Sequence, residues 1–240
     1  MNGEKRIVLK TEGLEKSFPS GREELRVLRG VDLEIEAGEI VSIVGASGAG
    51  KSTLLHIAGG LLRPTAGRVW ISGEELFHLG DQALSRLRNQ RVGFVFQFHH
   101  LLPELTAEEN VMMPLLIGNG GRREAAARAK SLLAEVGVSG RAHHHPHELS
   151  GGEQQRIAVA RAVAARPEIV LADEPSGNLD DRNSEELHRL LWSLREEEGQ
   201  AFAIVTHDDR LANRADRKLR LHEGRLIDDT GGAPRGSGVS

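Results

Sequence analysis

The chain has 240 residues, no cysteine, 3% aromatics with no tyrosine, and a formal net charge of −4 from 31 basic and 35 acidic side chains. That length can bury a core without cross-links, and the missing thiols exclude a disulfide framework and a thiolate metal site. Scattered charge and scarce aromatics leave no basic patch or stacking platform, so no nucleic-acid partner is expected. No apolar run approaches the roughly 20 residues of a membrane span and no signal peptide opens the chain, so the expectation is a soluble protein that meets a membrane only through partners.

In chain order, Ile7 to Phe18 is predicted as a strand ending in a turn at Pro19-Ser20-Gly21. Val27-Leu28 and the alternating Val31-Asp32-Leu33-Glu34-Ile35-Glu36 read as half-exposed strands, and such alternation implies antiparallel pairing. Ile40 to Val44 is apolar throughout and predicts a buried strand, followed by a glycine-rich loop and a helix over Leu54 to Ala58. Pro64-Thr65-Ala66-Gly67 turns into a strand at Arg68 to Ile71, then come a polar helix around Asp81 to Asn89 and a strand at Val92 to Phe96.

From Gln97 to about Ala165 the pattern is helical, and an inserted helical subdomain is predicted at about 98–165. Thr106-Ala107-Glu108-Glu109 is a capping-box sequence, and Arg122 to Val136 is an alanine-rich helix closed by Gly137. Phe94 to Leu105 with Met112 to Ile117 is apolar enough to form a local core or a docking groove. After Pro167 the α/β alternation resumes: strand Ile169 to Ala172, helix from about Asp181 to Glu198, strand Ala201 to Thr206, and a hairpin through Glu223-Gly224. One domain is thus predicted over 5–228, and the tail at 229–240, rich in glycine and serine, is predicted to be disordered.

Three stretches carry chemistry. Gly45-Ala46-Ser47-Gly48-Ala49-Gly50-Lys51-Ser52-Thr53 matches G-x-x-x-x-G-K-[ST] between a strand and a helix. Its glycines let backbone N–H groups wrap an anion, Lys51 adds a point charge, Ser52 suits a magnesium ion, and Thr53 adds a hydroxyl near the inner phosphates. Asp173-Glu174 ends a buried strand, where an open α/β sheet meets its ligand: Asp173 suits a magnesium ion, directly or through water, and Glu174 is placed to polarise an attacking water. In Leu149-Ser150-Gly151-Gly152-Glu153, Ser150 and Glu153 form a capping box, and the two glycines imply that something approaches the backbone.

These segments, with Gln97, Ser176-Gly177-Asn178-Leu179-Asp180 and His207, resemble the nucleotide-binding subunit of ABC transporters, and the resemblance covers about residues 5 to 228. It implies an α/β P-loop ATPase core with an antiparallel β layer and the inserted helical subdomain. It also implies ATP and Mg2+ as ligands, a homodimer sandwiching two ATP molecules, and two transmembrane permease subunits. By the same resemblance Ser150, Gly151, Gly152 and Glu153 act on the partner chain's ATP and Asp180 couples the two sites. Gln97 meets the magnesium and water while linking to the membrane subunits, and His207 holds the γ-phosphate. Phe18 stands where the family stacks a tyrosine on adenine.

Asn89 to Pro103, Met113 to Gly118 and Leu171 to Asp180 are similar to the ATPase branch of bacterial lipoprotein-releasing transporters, with Ser176 in place of the usual threonine. That resemblance implies a peripheral subunit on the cytoplasmic face of the inner membrane. Macrolide exporters and the cell-division ATPase are close alternatives. DNA-repair ATPases of this class are remote, because only about 100 residues without sustained heptads separate phosphate loop and signature. His143-His144-His145-Pro146-His147 could suggest metal binding, but a solvated loop is expected, and His99 and His100 are expected to line the groove for the membrane subunits.

Overall fold

The computed structural model describes residues 6–21 and 23–229. The predicted disorder of the tail falls, from residue 230 on, outside the described residues. In chain order the elements begin with β1 (Ile7–Ser20), β2 (Glu23–Glu36), β3 (Ile40–Val44), α1 (Lys51–Ala58), β4 (Ala66–Ile71), β5 (Glu74–Glu75), α2 (Asp81–Arg91) and β6 (Val92–Phe96). Three helices follow, α3 (Ala107–Ile117), α4 (Arg122–Glu135) and α5 (Gly151–Val163). The chain then returns through β7 (Ile169–Asp173), α6 (Asp181–Glu198), β8 (Ala201–Val205), α7 (Asp209–Ala212), β9 (Arg217–His222) and β10 (Arg225–Asp228).

Two sheets result. One is antiparallel with order β2-β1-β4-β5, and the other has order β10-β9-β3-β8-β7-β6, parallel except at the β10 edge. The alternation at Val31 to Glu36 works as expected: Val31, Leu33 and Ile35 are buried while Asp32 and Glu34 face out. The parallel strands do not alternate because both of their faces are covered. Ile169 and Leu171 of β7 and Ala201, Ala203 and Val205 of β8 pack toward the antiparallel sheet and α1. Their neighbours Val170, Ala172, Phe202 and Ile204 pack on the opposite side, against the helices. Phe202 is fully buried, and each such side chain contributes about 1.5–3 kcal/mol relative to exposure.

The three helices between β6 and β7 share the second core through Ala107, Val111, Met112, Leu132, Leu133 and Ile157. Thr106 caps α3 as its sequence predicts, accepting from the Glu109 N–H at 3.3 Å while Glu109 accepts from the Thr106 N–H at 3.0 Å. Asn110, fully buried, fastens the preceding loop: its amide donates to the Leu102, Leu105 and Thr106 carbonyls and accepts from the Leu102 N–H. The apolar run that suggested either a core or a groove divides between the two. Val95 and Met112 are buried, whereas Phe98 is 68% and Ile117 62% exposed. No helix among the described residues is long and apolar enough to cross a membrane.

Candidate nucleotide site

Four adjacent parallel strands, β3, β8, β7 and β6, end at one edge of the large sheet. Residues far apart in sequence therefore arrive together: the loop after Val44, His207 after β8, Asp173-Glu174 at the end of β7, and Gln97 after β6. Ligands of open α/β sheets sit at this edge.

In the glycine-rich loop, a Cβ on Gly45 would lie 2.5 Å from the Leu221 carbonyl oxygen. Gly50 has φ of 100°, and a Cβ there would lie 2.6 Å from Val27 Cγ1. The β9 backbone at Gly45, and the left-handed conformation together with the Val27 side chain of β2 at Gly50, thus demand both glycines. Lys51 Nζ donates to the Gly45 carbonyl at 2.8 Å and to Ala46 at 3.1 Å, which holds the ammonium over the loop. Ser47, Gly48, Ala49, Ser52 and Thr53 complete the turn into α1, where the first-turn amides have no intrahelical acceptor. A turn of this kind, with a lysine over it, can hold a polyphosphate.

Glu174 sits at φ of 47°, an uncommon conformation for a residue with a side chain that costs on the order of 1–3 kcal/mol and concentrates at functional sites. Its N–H donates to the Val205 carbonyl at 2.9 Å, while its carboxylate accepts from the His207 N–H at 3.2 Å and lies 2.8 Å from His207 Nδ1. Asp173 Oδ1 is buried and has no hydrogen-bond partner. Gln97 donates from Nε2 to Asn178 Oδ1 at 3.1 Å and accepts at its own carbonyl from Asn178 Nδ2 at 3.0 Å. A magnesium ion fits this donor set: the Asp173 oxygen lacks a partner, and the Ser52 hydroxyl and the Gln97 amide oxygen are hard donors of the type it takes.

Ser150, Gly151, Gly152 and Glu153 open α5. Glu153 accepts from the Ser150 N–H and Oγ–H, both at 2.8 Å, and donates its own N–H to Ser150 Oγ at 3.3 Å. Arg141 donates to the other Glu153 oxygen at 2.7 Å. That ion pair, with the Ser150 hydrogen bonds behind it, holds the Glu153 carboxyl down at about 2. The glycines differ in their surroundings. A Cβ on Gly152 would meet Asn183 Oδ1 of α6 at 2.6 Å, so one close approach comes from within this chain, whereas Gly151 faces open space. Asp180 caps α6, accepting from the Asn183 N–H at 2.8 Å, and that bond lowers its carboxyl below the usual aspartate range.

The single chain does not bring everything together. Among the described residues, no hydrogen bond or ion pair joins Ser150 to Glu153 with the glycine-rich loop. Phe18 lies on the β1–β2 hairpin opposite Leu25, with the Lys16 ammonium 4.9 Å from its ring centre. The histidine tract is a surface turn in which the His145 and His147 rings stack at 5.9 Å and His143 lies 3.9 Å from Glu108. Among the described residues no group of three or more His, Cys, Asp or Glu is placed to hold a metal ion. Sequence reasoning passed over Arg141, Asn178 and Asn183 as site residues. Asn183 was findable as the third residue after the Asp180 cap, but nothing local marks Arg141 as a partner of Glu153.

Residues 28–177 match the model of the ABC transporter family. The chain is 53% identical over 222 residues to a protein of Geobacter metallireducens named lipoprotein-releasing system ATP-binding protein LolD, covering 92% of this chain and 99% of that one. A protein of the same name from Cytophaga hutchinsonii is 56% identical over 201 residues, covering 84% of this chain and 92% of its own. Among solved structures, an ATP-binding cassette in a dimeric post-hydrolysis state bound to ADP and Pi superposes with a TM-score of 0.86 at 40% identity, over 94% of this chain and all of that one. The structure of cbiO1 from Clostridium perfringens, part of the ABC transporter complex cbiONQ, superposes with a TM-score of 0.81 at 27% identity, over 93% of this chain and 88% of that one. With the glycine-rich loop, the paired carboxylates and the capped helix in their places on this sheet, the chain belongs to the ABC transporter family.

Proposed function

We propose that this chain is the ATP-hydrolysing subunit of a transporter that releases lipoproteins from the inner membrane toward the outer membrane. It works as a homodimer bound to two transmembrane permease subunits, on the cytoplasmic face of that membrane. The observation that carries the reading is the convergence of the glycine-rich loop, Asp173-Glu174, His207 and Gln97 on one sheet edge. Likeness to lipoprotein-releasing ATPases over nearly the whole chain supports the cargo.

In this reading Lys51 and the amides of Gly45 to Thr53 bind the ATP phosphates, and Phe18 stacks on the adenine. Ser52, Gln97 and Asp173 hold magnesium, which when bound draws charge from the phosphate oxygens. Glu174, fixed by His207, orients the attacking water and accepts its proton, while His207 donates toward the γ-phosphate. Ser150, Gly151, Gly152 and Glu153 act on the ATP held by the partner chain, which explains why Gly151 faces open space here, and Asp180 couples the two sites. ATP binds the closed dimer better than the open one, so closure drives the permease subunits and hydrolysis resets them. Phe98, exposed beside Gln97, suits the contact with those subunits.

The test is a pull-down of the tagged Glu174→Gln protein from detergent-solubilised native membranes with ATP. Recovery of lipoprotein-release membrane subunits is the expected result. Recovery of an exporter or cell-division subunit would overturn the cargo and leave the ATPase in place.

A further inference from the structure

We propose that Arg141 is a positioning residue of the signature face: by neutralising Glu153 it lets the partner's ATP phosphates approach the N-terminus of α5. The inference rests on the proposed trans role of Ser150 to Glu153 and asks what that role requires of this chain. Glu153 places a carboxylate on the first turn of α5, and both of its oxygens are engaged, one by Ser150 N–H and Oγ–H and the other by Arg141 Nε. A fixed negative charge at this place stabilises the helix, but it repels an incoming polyphosphate. The two demands conflict, and a cation beside the carboxylate resolves them.

Arg141 is the one cation paired with Glu153 among the described residues, at 2.7 Å. It comes from the turn between α4 and α5, twelve residues away, and its side chain is 48% exposed. The guanidinium therefore lies half exposed beside the first turn of α5, with His144 Nε2 3.5 Å from Nη1. The same pair sets the serine. Because Glu153 is held by Arg141, its other oxygen stays where it accepts the Ser150 hydroxyl proton, and the hydroxyl remains turned into the cap until a stronger acceptor arrives. A glutamine at position 153 would need no such cation, since an amide oxygen can accept the Ser150 bonds without carrying charge.

The test is a charge cycle in the Glu174→Gln background, with the full chain. The dissociation constant of the ATP-bound dimer is measured by sedimentation with ATP and Mg2+. Binding of a fluorescent ATP analogue to the monomer and circular dichroism serve as controls. Arg141→Gln is expected to raise the dimer dissociation constant on the order of tenfold, with monomer binding and helix content unchanged. Adding Glu153→Gln to Arg141→Gln is expected to bring it back to within about threefold of the parent, because the uncompensated charge is gone. Arg141→Lys, which keeps the charge, is expected to close with the parent's affinity and covers the case in which Arg141→Gln folds poorly. Tight closure of Arg141→Gln, or no recovery in the double variant, overturns the inference while leaving the ATP-driven dimer standing. A Glu174→Gln parent that stays monomeric with ATP would overturn the trans reading itself, and this inference with it.

Discussion

The glycine-rich loop and the opening of α5 are both glycine-containing entries into helices, yet they are held by different forces. Around the loop, Gly45 and Gly50 are demanded by neighbours in the same chain, with the Leu221 carbonyl and Val27 standing where a Cβ would go. At α5, polar bonds hold the first turn: Ser150, Glu153 and Arg141 form a chain of charge-assisted contacts, Gly152 lies against the Asn183 side chain of α6, and Gly151 has nothing beside it. The first region is held at both ends by packing, against the β9 backbone at Gly45 and against Val27 of β2 at Gly50. The second is fixed by charge and left open, as a surface that meets another chain must be. A glycine in a motif therefore carries two different meanings, and only the surroundings tell them apart.

The largest effect is expected at the packed edge itself: Glu174→Gln should cut steady-state phosphate release by about 10²- to 10⁴-fold while ATP binding is retained and an ATP-bound dimer accumulates. Unchanged turnover would remove Glu174 from its role. Next, Gly45→Ala should lower the thermal midpoint by roughly 3–10 °C, since forcing atoms into a filled site costs about 1–3 kcal/mol. Gly151→Ala should leave the midpoint within about 2 °C of the parent, because surface changes stay near 0.5 kcal/mol, and weaken only the ATP-driven dimer. Equal destabilisation by both alanines in a melting experiment would erase the distinction.

The smallest effect concerns pH. Glu153 is depressed to about 2 by Arg141 and Ser150, so its contribution is complete above the unfolded-state value of about 4.3 and is lost as the pH falls through 2. The stability difference between the parent and Glu153→Gln, measured in urea, should therefore be flat above about pH 5 and shrink toward about pH 2. A difference that is already gone at pH 4 would mean that Arg141 does not hold the carboxylate.

Much of this was legible residue by residue. The capping boxes at Thr106 and Ser150 and the helix over Asp181 to Glu198 rest on contacts within four residues, which local sequence encodes, and the unbroken apolar run Ile40 to Val44 marks a buried strand by its composition. The second strand of the first hairpin reads in two pieces, Val27-Leu28 and Val31 to Glu36, whereas β2 runs unbroken over 14 residues and absorbs the break as register shifts against β1 on either side of Leu14. The carboxylate pair at Asp173-Glu174 was visible from its place after a buried strand. The left-handed turn at Glu174 and its two contacts to His207 were not.

By itself the sequence determined the chemistry available: a phosphate-binding loop, a strand ending in two carboxylates, a capped helix opening with glycines, and the order in which they come. Only the tertiary structure decided which of them meet. The strand order β3-β8-β7-β6 sets Glu174 beside His207, 33 residues on, and Gln97 beside Asn178, 81 residues on. Parallel strands carry no local record of their neighbours, because both faces are apolar and the crossover between them is long. For the same reason the cation that neutralises Glu153 came to light only once α4, α5 and the turn between them were packed together.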